Sequence, residues 1–121
     1  KEACSFSDLL NRIKTNFSMR TLRYIGPEEK CIRKIAVVNG GGAEYIYEAK
    51  KQGADCFISG DIKYHQARFA YENDIALVEI PHYQAEIIFC DYVKQLLNGK
   101  FGDRLEVVVT DKNRDIWKQI D

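Results

Sequence analysis

No apolar run in these 121 residues approaches the roughly 20 needed to span a bilayer, and no signal peptide is visible at the N-terminus. Net charge is also missing: 18 Lys and Arg balance 18 Asp and Glu, so no overall field draws the chain to nucleic acid or to an anionic membrane. Neither kind of partner is expected. The four cysteines, Cys4, Cys31, Cys56 and Cys90, form no C-x-x-C pair, which argues against a disulfide framework or a zinc knuckle. Cys56 and Cys90 lie inside apolar runs, where a thiol behaves as a small hydrophobe. A reducing compartment, the cytoplasm, is therefore expected. With no repeat, low-complexity tract or proline-rich linker, residues 1–121 read as a single domain. The chain also lacks an initial Met, beginning at Lys1, and is expected to be a portion of something longer.

What is present is enough for a core, since 45% of the residues are hydrophobic. Phe6, Leu9, Leu10, Ile13 and Phe17 recur at helical spacing, and Ser5 with Asp8 three residues on resembles a capping box. Residues 21–25 predict a short strand closed by the turn pair Gly26-Pro27. Residues 34–38 (KIAVV), 56–58 and 75–80 (IALVEI) predict strands, and 105–109 (LEVVV) predicts a last one. Helices are predicted at 43–52, stopped by Gly53, at 62–72, and at 82–97, ended by Asn98-Gly99. In the second of these, Ile62, His65 and Phe69 share one face. From Lys34 onward the order is βαβαβαβ. That order predicts an α/β fold, a layered sheet mostly parallel or mixed with helices packed on it. The unbroken apolar character of KIAVV and LEVVV fits strands buried on both faces. The 21–25 strand is expected to add at an edge.

In an open α/β sheet, ligands bind beyond the carboxyl ends of the strands. Three successive strand-to-helix loops carry the unusual residues there: Asn39 with Gly40, Gly41 and Gly42; Ser59-Gly60-Asp61 followed by Tyr64 and His65; and Pro81-His82 followed by Glu86. Backbone N–H groups of the glycine loop could hold an anion, or the loop could simply be a tight turn. It has neither G-x-G-x-x-G nor the Walker lysine. Asp61 sits where an N-cap belongs. His82 and Glu86, four apart at a helix start, share a face and could both reach a divalent ion. Spacing alone favours the plainer reading, a capping His and a first-turn carboxylate favoured by the helix dipole. His65 could join them, or pack beside Phe69. No Ser-His-Asp order stands out, and Tyr45, Tyr47, Tyr64, Tyr71, Tyr83 and Tyr92 read as core or interface.

Four segments in order resemble the C-terminal half of the NIF-three-like family, often described as GTP cyclohydrolase I type 2 homologues. IAVVNGGGAEYIYEAKKQGAD is similar to its strand, glycine-rich loop and helix, and CFISGDIKYHQA to its G-D-x-x-Y-H segment. IALVEIPHYQAE is similar to its strand ending in H-x-x-x-E, and LEVVVTDKNRDIW to its last strand and tail. The resemblance implies a three-layer α/β fold of two related halves, assembled as a hexameric ring with metal sites facing an internal cavity. It implies two divalent metals (Zn, Mn or Fe) per full-length subunit, with His82 and Glu86 as ligands and Asp61 and His65 near them. The family's remaining ligands, a His-rich segment and an Asp, belong to its N-terminal part and are absent here. The glycine loop is shorter than the family's G-G-x-G-G.

Two functions follow from the resemblance. In the complete protein, two metals would activate water in a hydrolytic reaction of the GTP cyclohydrolase type, this chain alone being inactive. Alternatively the protein is a non-enzymatic assembly or protein-interaction module with a structural or regulatory metal. A stand-alone phosphate-binding domain using Gly40 to Gly42 is a third reading.

Overall fold

A computed structural model describes residues 3–118. The first helix, α1 (Phe6–Asn16), starts where a side chain can satisfy its free N–H groups: Ser5 accepts from the Asp8 N–H at 3.1 Å. Its apolar positions Phe6, Leu9, Leu10 and Ile13 are all buried. Two residues before it, β1 (Cys4–Ser5), pair antiparallel with β3 (Cys31–Ile32), a small ribbon the sequence did not announce.

The main sheet has four strands: β2 (Arg23–Ile25), β4 (Ile35–Val37), β5 (Cys56–Ser59) and β6 (Ala76–Glu79). Their order across the sheet is β2-β6-β5-β4, with β4-β5-β6 parallel and β2 added antiparallel at the edge. The sheet is thus mixed. A 3-10 turn (Ala43–Tyr45) leads into α2 (Ile46–Lys51); α3 (Tyr64–Glu72) and α4 (His82–Phe101) follow β5 and β6.

Side chains alternate along β5 and β6, which assigns each face its own core. Cys56, Ile58, Ala76 and Val78 meet α1, Ile32 and Ala85, the first-turn alanine of α4. Phe57 and Leu77 meet Ile46, Ala49 and Ala70 of α2 and α3. The result is helices on both faces of a sheet, and β5 is buried at every position.

Several expectations need correcting. The KIAVV strand is an edge, not a strand buried on both faces: Ile35 is 40% and Val37 64% exposed. Ala36 points to the α2 side, whereas the α1 layer over β5 and β6 does not cover β4. LEVVV forms no strand among the described residues, and Val108 is exposed. High β-propensity makes a strand only where an edge lies alongside to pair with it. The last helix passes through Asn98-Gly99 and stops at Gly102, whose φ of 54° closes it with an N–H bond to the Asn98 carbonyl. The α3 helix begins at Tyr64, so Ile62 lies outside it, and its buried face is Gln66 and Ala70. Phe69 packs edge-on against Tyr47, and His65 is exposed.

Candidate functional site

The three glycine-, Asp- and His-bearing loops converge because their backbones are bonded to one another. Gly60 donates its N–H to the Gly40 carbonyl at 2.8 Å, and Ile80 donates to Ser59 at 2.9 Å. The buried Ser59 hydroxyl ties the same parts: it donates to the Gly40 carbonyl at 3.2 Å and accepts from the Gly42 N–H at 3.1 Å. No side chain fits between these strands. A Cβ on Gly60 would lie 2.7 Å from the Ile80 carbonyl oxygen and 2.9 Å from that of Gly40.

On this platform His82 stands between two carboxylates. Its Nδ1 is 2.8 Å from Asp61 Oδ2 and its Nε2 is 2.9 Å from Glu86 Oε1. The glycine loop closes against them: a Cβ on Gly41 would meet Asp61 Oδ2 at 2.9 Å, and one on Gly40 would meet Glu86 Oε1 at 3.2 Å. All three side chains are about half exposed. The hydrogen bond to Asp61, then the charge of Glu86, favours the imidazolium and raises the His82 pKa above its ordinary value. Beside the pair runs a groove of about 510 Å³ lined by Asn39, Tyr83, Phe89, Cys90 and Asn113. The chain beyond the last helix is held at its rim, Tyr83 Oη donating to the Asn113 carbonyl at 2.7 Å.

The structure therefore brings together Asp61, His82, Glu86 and the glycine loop. It does not bring in His65 as a contact of the triad. Asp61 is not the N-cap of α3; that place belongs to Lys63, and Gln66 Oε1 reciprocally accepts the Lys63 N–H at 2.9 Å. Asp61 instead takes a left-handed φ of 52°, which turns its carboxylate toward His82. Of the glycine-loop donors, the Gly42 N–H is already used by Ser59.

Sequence reasoning passed over Glu79. It is the one acidic residue in the otherwise apolar IALVEI strand, and that break in pattern was the available signal. Its side chain is only 14% exposed; Oε1 accepts the Ile62 N–H at 3.0 Å and Oε2 pairs with Arg23 at 2.7 Å.

Among the described residues no group of three or more His, Cys, Asp or Glu is arranged to hold a metal ion. With Nδ1 committed to Asp61, His82 Nε2 and the Glu86 carboxylate, in contact at 2.9 Å, are two donors where an ion ordinarily takes three or four. No helix among the described residues is long and apolar enough to cross a membrane.

A mixed sheet layered between helices, with a His–carboxylate cluster at the carboxyl ends of its parallel strands, defines the chain as an α/β domain. The family model Duf34/NIF3 (NGG1p interacting factor 3) matches residues 1–116, and the chain belongs to that family. It is 34% identical over 117 residues to the GTP cyclohydrolase 1 type 2 homolog of Clostridium acetobutylicum, covering 94% of this chain and 44% of that protein. A Staphylococcus aureus protein of the same description is 32% identical over 119 residues, covering 96% and 32%. A crystal structure from Staphylococcus aureus superposes with a TM-score of 0.83 at 30% identity, over 99% of this chain and 35% of that one. A Bacillus cereus protein related to NIF3 gives 0.77 at 22% identity over 99% and 34%, which bears on the fold. The chain spans less than half the length of these relatives.

Proposed function

We propose that this chain is the C-terminal part of a divalent-metal-binding NIF-three-like protein acting as a metal-dependent hydrolase of the GTP cyclohydrolase I type 2 kind. The observation that carries the reading is the convergence of His82 Nε2 and Glu86 at 2.9 Å, with Asp61 on the other ring nitrogen. A metal-bound imidazole almost always gives its second ring N–H to a carboxylate, backbone carbonyl or water, which fixes ring direction and raises basicity. The donor set fits such a group as half a site. His82 and Glu86 would hold the ion, Asp61 would orient His82, and the remaining ligands would come from outside residues 1–121. A His/carboxylate set suits Zn²⁺, Mn²⁺ or Fe²⁺, two ions in the full-length subunit, and a bound ion would supply an activated water. Gly40, Gly41 and the groove beside Glu86 would seat the substrate.

The alternative, an assembly module with a structural metal, draws on the last helix. Ile88, Phe89, Tyr92 and Leu96 of α4 are all exposed, and a helix so apolar is ordinarily covered. A homo-oligomer, hexameric in the full-length protein, fits either reading. The free cysteines, none of them bridged, are in keeping with a cytoplasmic protein.

Calorimetric titration of Zn²⁺ and Mn²⁺ into this chain, beside a His82→Ala, Glu86→Ala double variant, tests the site. Weak binding lost in the variant supports a half-site; identical isotherms for the two proteins sink it. In the full-length protein, hydrolytic turnover abolished by His82→Ala supports the enzyme, whereas loss of the oligomer with no detectable turnover supports the module.

A further inference from the structure

The Asp61 backbone is in the left-handed region, at φ 52°. For a non-glycine residue this conformation is disfavoured by about 1–2 kcal/mol, so something must hold it. Two hydrogen bonds bracket it. On one side the Gly60 N–H binds the Gly40 carbonyl, and on the other the Ile62 N–H binds Glu79 Oε1 at 3.0 Å. The first anchor is backbone; the second is a side chain from the end of β6. Glu79 is itself fixed by its register partner on β2, Arg23, at 2.7 Å. Its carboxylate is mostly buried although nothing in its own strand needs a charge there, whereas the Arg23 side chain is 79% exposed.

We infer that Glu79 is a positioning residue. By accepting the Ile62 N–H it locks Asp61 in its left-handed turn, and Asp61 in turn aims the His82 ring at the point shared with Glu86. The order of connection is β2, Glu79, the Ile62 amide, Asp61, His82, Glu86, each link a contact already described. What matters in Glu79 is an acceptor oxygen at that reach, and the ion pair with Arg23 is secondary. The inference rests on the reading of His82 and Glu86 as the donor pair for its metal consequence, but the clamp itself exists without metal.

The test uses this chain as Glu79→Ala, Glu79→Gln and Arg23→Gln variants, with Asp61→Asn as reference. In metal-free protein at one fixed pH, amide exchange of Ile62 and the ring nitrogen resonances of His82 are recorded by NMR. Glu79→Ala is expected to unprotect the Ile62 amide and to move the His82 resonances toward those of Asp61→Asn. Glu79→Gln, which keeps the acceptor, and Arg23→Gln are expected to leave His82 where the wild type has it. Zn²⁺ affinity should follow the same order, with about a tenfold loss in Glu79→Ala. Should Glu79→Ala not fold, Glu79→Asp carries the test, being one methylene short of Ile62. Unmoved His82 resonances in a folded Glu79→Ala or Glu79→Asp protein would overturn the inference, as would a Glu79→Gln protein indistinguishable from Glu79→Ala. Wild-type Zn²⁺ binding unaffected by the His82→Ala, Glu86→Ala pair would instead remove the metal reading and leave the clamp to be judged on the metal-free spectra.

Discussion

Replacing Gly60 by Ala puts one methyl group where two backbone carbonyls already stand. The added Cβ would lie 2.7 Å from the Ile80 oxygen and 2.9 Å from the Gly40 oxygen. An unstrained carbon–oxygen contact is about 3.3 Å or longer, so each carbonyl must give way by roughly half an ångström. Neither belongs to a flexible side chain. The Gly40 carbonyl is also the acceptor for both the Gly60 N–H and the Ser59 hydroxyl, so moving it loosens the joint between β4, β5 and the glycine loop. Overpacking of this kind costs about 1–3 kcal/mol and a weakened buried hydrogen bond about 1 more. The expected loss is therefore about 2–4 kcal/mol, within reach of a marginal domain's whole stability but short of the upper range. In a urea titration followed by circular dichroism, the midpoint should fall by about 1–2 M with the slope unchanged. The Zn²⁺ affinity should fall with it, because the same joint carries Asp61. A Gly60→Ala protein with the wild-type midpoint would refute the reasoning, since it would mean that the three loops are not packed backbone to backbone.

The Asp55 carboxylate accepts the N–H groups of Arg33 at 2.9 Å and Lys34 at 2.8 Å, and these two bonds, the Arg33 one first, hold its pKa below the ordinary value. A depressed folded pKa gives stability that is present above the unfolded pKa of about 3.9 and lost as pH falls through the folded value. Asp55→Asn should therefore cost about 1–2 kcal/mol near neutral pH, discounted for partial exposure, and the gap to wild type should close on acidification below about pH 4 in urea titrations. Gly99 lies inside α4 with nothing within 4 Å of an added Cβ, so Gly99→Ala should raise stability by about 0.5–1 kcal/mol; a fall in melting temperature would contradict the helix extending to Phe101. Ile88→Glu with Leu96→Glu should change the folding stability of this chain by less than about 1 kcal/mol, both sites being exposed, while lowering the oligomeric state of the full-length protein in sedimentation. An unchanged assembly would show that the α4 face is not an interface.

The parallel core was legible because its signals are local. Apolar β-branched runs separated by helix-period segments fix β4, β5, β6 and the helices between them, and Ser5 with Asp8 placed the start of α1 to the residue. The short ribbon of β1 and β3 was not legible, since two-residue strands leave no period to read. Nor were the fates of KIAVV and LEVVV. An apolar run reports that a segment can be buried, but only the neighbouring elements decide whether it is, and those neighbours are set by tertiary structure. At the candidate site, loop order pointed to the stretch where Asp61, His82 and Glu86 meet, while the four-residue spacing alone favoured a capping His and a solvated Glu. The N-cap reading of Asp61 failed because an N-cap and a left-handed turn residue have the same composition signature. Glu79 went unread because its partner is a backbone N–H from another loop, which no side-chain spacing encodes.

The same helix carries both the proposed donors and the uncovered surface, and this joins the two functional readings. His82 opens α4 and Glu86 follows one turn on, with Ala85 between them buried against the core. From Ile88 onward the helix leaves that core, with Phe89, Tyr92 and Leu96 exposed. At about 1.5 Å of rise per residue, Phe89 stands only about 4.5 Å along the axis from Glu86. Any polypeptide that covers the exposed stripe is thereby brought within side-chain reach of the half-site. On the proposed metal reading, a surface needing cover and a half-site needing ligands would be completed by one docking event, whether by the rest of a family-length chain or by another subunit. On this view assembly and metal affinity are thermodynamically linked: whatever binds the stripe and supplies a ligand tightens the ion, and the ion in turn tightens the assembly. An enzyme and an assembly module would then differ in what the bound ion does, not in how the site is built.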